Sequence, residues 1–229
     1  NIKYPLIRCH ACTDLQVRHA IFFGLGTLPA MQRRHRPLFS LNSYIDPRVV
    51  RFSFVALVTC LGYGCVQAFM TSFAAERGLS GPASLFFLLY ALAALATRPI
   101  TGRLYDTRGE NVIFFPIFLL TALSLVLLAY AERGWMLLLS GFILGVGFGN
   151  FQSVGQAVSL SLVSRSRFAQ ATTTFFIFFD FGIGLGPYLF GFLVPIVGYN
   201  GMYLALSGTV LCALVIYYIL HGKHMYEMK

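Results

Sequence analysis

Six apolar stretches of roughly twenty residues each, parted by short charged gaps, constrain this chain more than any other feature. Stretches of that length suit helices crossing a hydrocarbon core of about 30 Å, whereas barrel strands would run to about ten residues with alternating polarity. With 57% hydrophobic and 11% charged residues and a mean hydropathy of +0.73, the composition is far from that of a soluble domain, in which about a quarter of residues are charged. The reading is an all-α membrane protein with spans at 52–75, 82–97, 111–131, 135–163, 168–195 and 201–220 inside a transmembrane domain of residues 51–221. Residues 1–50 form a basic linker interrupted by prolines, with a broken-helix remnant around Ala20–Met31 and a short surface helix or turn at Phe39–Tyr44, and residues 222–229 form a tail. The chain opens on Asn1 and not on Met, so a processed or incomplete product is expected.

The net charge of +9 is laid out as a topology signal. One set of loops and ends holds Arg33, Arg34, Arg36, Arg48, Arg51, Arg98, Arg103, Arg108, Arg165, Arg167, Lys223 and Lys229, and the other holds Arg77 and Arg133. The positive-inside rule then puts both termini in the cytoplasm, as an even number of spans requires. Basic residues distributed this way do not make a nucleic-acid patch.

Chemistry is sparse. There is no HExxH, Walker loop, paired-carboxylate or Ser-His-Asp pattern in a suitable context, so an enzyme is disfavoured. No cofactor or metal is expected, because His10, His19, His35, His221 and His224 all fall outside the spans and Cys9-x-x-Cys12 has no second pair. Cys60, Cys65 and Cys212 fall in apolar runs and read as packing residues.

Asp180 stands out. It lies twelve residues past Phe168, about 18 Å along a helix and so near the bilayer centre, where an ionised side chain costs at least about 2.5–3.5 kcal/mol. It should face a cavity or a partner, as a proton-coupling or substrate-contacting group, or else bond neighbouring polar groups to hold helices together. Beyond it, Gly182, Gly186, Pro187 and Gly191 make the fifth helix a candidate for a kink or gate. Tyr63, Gln67, Tyr90, Asn150, Gln152 and Gln156 are candidate cavity-lining groups, since amides in hydrocarbon are costly. Gly141, Gly145 and Gly149, spaced by four, allow another helix to approach closely.

The remaining feature is the charged gap after the second span, Gly102-Arg103-Leu104-Tyr105-Asp106-Thr107-Arg108-Gly109, expected to form a compact hairpin. It resembles the cytoplasmic motif G-x-L-x-D-R-x-G-R/K of the major facilitator superfamily of secondary transporters, with Thr107 in place of the usual first Arg and Glu110 in place of the last basic residue. Gly182–Gly191 is similar to that superfamily's G-x-x-x-G-P motif, which there points to antiporters. Because the fourth span lacks an Arg in its Leu137–Gly145 stretch, the chain resembles the carboxy-terminal half, in its finer runs that of bacterial efflux-type members.

The resemblance implies one half of a twelve-helix transporter in a bacterial inner membrane. It implies alternating access around a central site, with proton-coupled export of a small molecule and Asp106 latching onto an amino-terminal half missing from this chain. Uptake by symport or facilitated diffusion is the alternative within transport. A non-transporting remnant or a membrane interaction subunit, paired with a second copy, is the alternative outside it.

Overall fold

The computed structural model describes residues 45–222, and among these there are six long helices and no strands. The helices are α1 (Pro47–Glu76), α2 (Ser80–Arg108), α3 (Asn111–Ala129), α4 (Gly134–Ser161), α5 (Phe168–Gly191) and α6 (Val194–Tyr217). All six are long and apolar enough to cross a membrane. The short connections make successive helices antiparallel, so the bundle has an Asp46 end and an Arg77 end.

The boundaries follow local chemistry. Asp46 caps α1, its carboxylate accepting the Arg48 N–H at 3.0 Å, and Pro47 occupies the first turn where its missing N–H costs nothing. The helix thus starts five residues before the span expected at Phe52. Helix α2 does not stop at Arg98-Pro99 but continues through Pro99 to Arg108. Around that proline, the hydroxyls of Thr97 and Thr101 bond back to main-chain carbonyls of the preceding turn. It ends at Gly109, whose φ of 82° favours glycine. The expected hairpin is therefore mostly helix: Gly102 to Arg108 are its last two turns, and only Gly109 and Glu110 form the turn into α3. Helix α6 begins at Val194 and not at Gly201, with a kink at Gly198 (φ 68°). The remnant and surface helix expected in residues 1–44, with Cys9 and Cys12, lie outside the described residues.

The packed pairs run α5–α1–α6–α3–α4–α2 and do not close from α2 back to α5. The bundle is thus a horseshoe whose ends, α2 and α5, are its least buried helices, while α1 is the most buried. Its core is aromatic: Phe52, Phe114, Phe118, Phe151 and Tyr217 form one contiguous group of fully buried rings. Centroid separations of 5–6.5 Å match the favourable range for aromatic pairs. The open side of the horseshoe is bounded by α5 and α2 and backed by α1 and α4.

Candidate functional site

Close backbone contact fixes the two arms of the horseshoe. A Cβ on Gly182 would lie 2.5 Å from the Leu57 carbonyl oxygen and 2.8 Å from the Cys60 Cβ, and one on Gly186 would strike the Leu61 carbonyl. From the opposite side, a Cβ on Gly64 would strike the Ile183 carbonyl. Pro187 has no N–H to give that carbonyl, which instead faces Gly64 Cα across the interface. The glycines and the proline expected to kink α5 thus bring α5 against α1, and α5 remains helical through Pro187 to Gly191, which meets the Phe69 ring. The other arm is built likewise: Gly141, Gly145 and Gly149 admit Phe86, Tyr90 and Ala94 of α2.

That docking determines where Asp180 points. At 100° per residue, Asp180 is about 160° around the helix from Gly182, and it is exposed, with no hydrogen-bond or ion-pair partner among the described residues. The unpacked surface of α5 has two sectors. Ile177, Phe181 and Tyr188 make one apolar sector, all exposed. Thr173, Asp180 and Gly184, within about 40° of one another, make a polar and small one.

A row of stacked rings links four helices. Tyr90 of α2 stacks on Tyr63 of α1 (5.5 Å, 27°), Tyr63 on Phe148 of α4 (4.3 Å, 15°), and Phe148 on Phe179 of α5 (6.1 Å, 26°). Phe176, one turn before Asp180, meets Phe179 edge-on at 6.2 Å. Tyr63 and Tyr90 are partly exposed, whereas Phe148 and Phe179 are buried in the core, so only the Tyr63–Tyr90 end of the row is open. Gln67 and Gln152, each one turn from a ring of the row on the same helix face, are exposed, and Gln156 is partly so.

Asn150 departs from the expectation that it lines a cavity. It is fully buried between helices, where its amide donates to Thr97 Oγ1 (2.7 Å) and to the Val146 carbonyl (2.9 Å) and accepts from Thr101 Oγ1 (3.1 Å). A buried amide satisfied this fully pins α2 to α4 just above Arg98.

At the end of α2, Arg103, Asp106 and Arg108 are exposed, Leu104 packs against the core, and Asp106 has no ion pair among the described residues. Glu110, in the position where a basic residue was the motif's rule, is buried at the start of α3. A carboxylate there is favoured by the unpaired N–H groups of the helix terminus.

Two residues organise the ends of the bundle without having been singled out in the sequence. Asp46 caps α1, pairs with Arg167 at 3.3 Å, and its N–H donates to Thr174 Oγ1 at 2.9 Å, joining the start of α1 to that of α5. The signal was present in Asp46-Pro47, an N-cap followed by a first-turn proline. At the other end the Arg77 guanidinium donates to the Ala131 carbonyl (2.7 Å) and to Asn200 Oδ1 and lies 4.6 Å from the centre of the Phe73 ring. It thus staples the ends of α1 and α3 to the kinked start of α6, and nothing in the local sequence marks those partners.

Comparison with known proteins agrees with this architecture. The chain is 24% identical over 218 residues to an uncharacterized MFS-type transporter, YhhS, of Salmonella typhimurium (strain LT2), covering 92% of this chain and 53% of the relative. It is 25% identical over 170 residues to the protein of the same name from Escherichia coli (strain K12), covering 74% of this chain and 42% of the relative. The chain spans about half the length of the curated relatives it matches. The family model of the Major Facilitator Superfamily matches residues 52–225, which takes in all but the first turn of the six-helix bundle, and the chain belongs to that superfamily.

Proposed function

We propose that this chain is the second, carboxy-terminal half of a secondary transporter that exports a small molecule in exchange for protons, with Asp180 as the coupling carboxylate. The observation that carries the reading is an acidic side chain near the middle of a membrane-spanning helix, exposed on the polar sector of α5 and without a hydrogen-bond or ion-pair partner among the described residues. A carboxylate at that depth is tolerated where it meets water, substrate or a proton. Alternating access then has the open side of this half meet the corresponding side of an amino-terminal half, the two rocking around the site between them. The distribution of basic residues supports placing the Asp46 end, and both termini, in the cytoplasm of a bacterial inner membrane.

In this orientation the exposed Asp106, at the cytoplasmic end of α2, latches the closed state by engaging a helix terminus or an Arg of the other half. Gly182, Gly186, Pro187 and Gly191 serve transport by holding α5 rigidly on α1, so that Asp180 keeps its position as the halves move.

The test is flux in inside-out membrane vesicles from cells producing the chain together with its amino-terminal half, energised by respiration and screened with a panel of labelled small molecules. Export predicts accumulation inside these vesicles that a protonophore abolishes, and Asp180→Asn should retain downhill exchange but lose accumulation. Normal accumulation by Asp180→Asn rejects its coupling role. Proton-driven accumulation in right-side-out vesicles instead supports uptake, and no flux in either orientation supports the remnant or interaction-subunit reading.

A further inference from the structure

Away from the transport path, we propose that the Asp46 end of the α1–α5 pair binds an anionic phospholipid, its headgroup phosphate held by Arg48, Arg51 and Arg165 and its chains running down the adjoining helix faces. Such a site requires only that these helices span a membrane, so it stands whichever way transport runs.

The basis is the placement of charge. The starts of α1 and α5 are tied together at one carboxylate: Asp46 accepts the Arg48 main-chain N–H at 3.0 Å and Arg167 Nη1 at 3.3 Å, while its own N–H donates to Thr174 Oγ1 at 2.9 Å. The Asp46 side chain is wholly buried and that of Arg167 half exposed. Arg48, Arg51 and Arg165 are exposed and have no ion pair among the described residues. The negative charge is thus covered inside the junction, and the surface presents guanidinium groups. Four arginines less one carboxylate leave a net charge of +3 at this junction.

The rest of the Asp46 end differs. At the α2–α3 junction Arg103 and Arg108 are matched in number by Asp106 and Glu110, and Arg98, ten residues before the end of α2, is the excess there among the described residues. Because α2 and α5 are the opposite ends of the horseshoe, positive charge is gathered on one side of the rim. Orientation in the membrane needs only the total, not this grouping.

Depth and surroundings favour a lipid over a soluble anion. Arg51 lies four residues into a membrane-spanning helix, where a guanidinium on its flexible stem reaches the phosphate layer. Phe54, one turn deeper and about 60° around α1 from Arg51, is exposed, as is Phe168, which directly follows Arg167. A phosphate at the arginines therefore has bare apolar surface beneath it for acyl chains, the arrangement by which basic pockets between helices recognise anionic headgroups.

The test is lipid binding to the 229-residue chain in a mild non-ionic detergent, titrated with fluorescently labelled phosphatidylglycerol and, as a lipid of the same chains without net charge, phosphatidylcholine. Phosphatidylglycerol should bind at least tenfold more tightly. Arg48→Gln, Arg51→Gln and Arg165→Gln combined should lower that preference at least tenfold, each lost contact counting about fivefold. The corresponding triple Lys variant should stay within about threefold, which guards against a misfolded Gln variant, because a headgroup recognised by charge accepts either base. Arg103→Gln combined with Arg108→Gln, which removes two charges from the other side of the same end, should bind as wild type does. Equal affinity for the two lipids, a preference retained by the triple Gln variant, or binding lost equally by the triple Lys variant or by the Arg103/Arg108 variant would each overturn the site. Competition by soluble glycerol phosphate as effective as that by unlabelled phosphatidylglycerol would overturn the lipid as its occupant.

Discussion

Replacing Gly182 and Gly184 separately by Ala should shift stability in opposite directions, although the two positions are adjacent-but-one on the same helix. At Gly182 the new Cβ would lie 2.5 Å from the Leu57 carbonyl oxygen, 2.8 Å from Cys60 Cβ and 3.1 Å from Leu57 Cα. Ordinary contact begins at 3.4 Å, so α5 must move off α1 by about 1 Å, and the obstructing atoms are main chain and Cβ, which cannot rotate away. Overpacking of a tight interface costs about 1–3 kcal/mol, and the immobility of these neighbours places Gly182→Ala near the upper limit. At Gly184 nothing lies within 4 Å, so Ala should instead stabilise the helix by about 0.5–1 kcal/mol. The two variants should thus differ by about 3.5–4 kcal/mol. Titration of the purified protein from mild detergent into sodium dodecyl sulfate, followed by loss of helical circular dichroism, reads this difference as a shift in midpoint. Equal midpoints for the two variants would refute close α1–α5 packing through Gly182.

Three further substitutions separate the roles of the polar groups. Asp46→Asn keeps a capping oxygen and loses only an ion pair whose Arg167 partner is half exposed, so it should cost under about 1 kcal/mol, whereas Asp46→Ala should cost about 1 kcal/mol more by removing the cap; the same detergent titration checks both. Arg77→Gln loses the charged donor to Ala131 and Asn200 together with its contact on Phe73, and should lower stability by about 2 kcal/mol and speed proteolysis of the Arg77-end loops. Asn150→Ala leaves Thr97 and Thr101 bonded to their own helix but removes the link to α4, for a loss of about 1–2 kcal/mol read as a lower thermal midpoint.

The helical class and the number of spans were legible in the sequence because apolar length is a direct consequence of bilayer thickness, and the six described helices agree with it. Less of the site was legible. Asp180 could be singled out from depth alone, but its exposure follows from which side of α5 meets α1, and that depends on Gly182, Gly186 and Gly64 interlocking across two helices. The same spacing that suggested a kink turns out to serve packing, since the carbonyl freed by Pro187 is turned toward Gly64 in the neighbouring helix. Asn150 and Gln152 looked alike as mid-span amides; which was buried rested on the register of α4 against α2, information carried by no local pattern. The end of α2 is not legible because Arg98-Pro99 reads as a boundary, while the helix in fact continues through Pro99 to Arg108. Tyr63, Tyr90, Phe148 and Phe179 are dispersed over more than a hundred residues, so the ring row exists only in three dimensions.

The central claim is that Asp180 faces an aqueous path while Ile177 and Phe181 of the same helix face lipid. In a background with the native cysteines replaced by Ser, the rate of reaction with a membrane-impermeant thiol reagent tests this at single positions in intact membranes. Gln67→Cys, Gln152→Cys and Asp180→Cys should react at least tenfold faster than Ile177→Cys and Phe181→Cys, which share the depth of Asp180 but lie on the apolar sector. Labelling of Phe181→Cys as fast as that of Asp180→Cys would contradict the account.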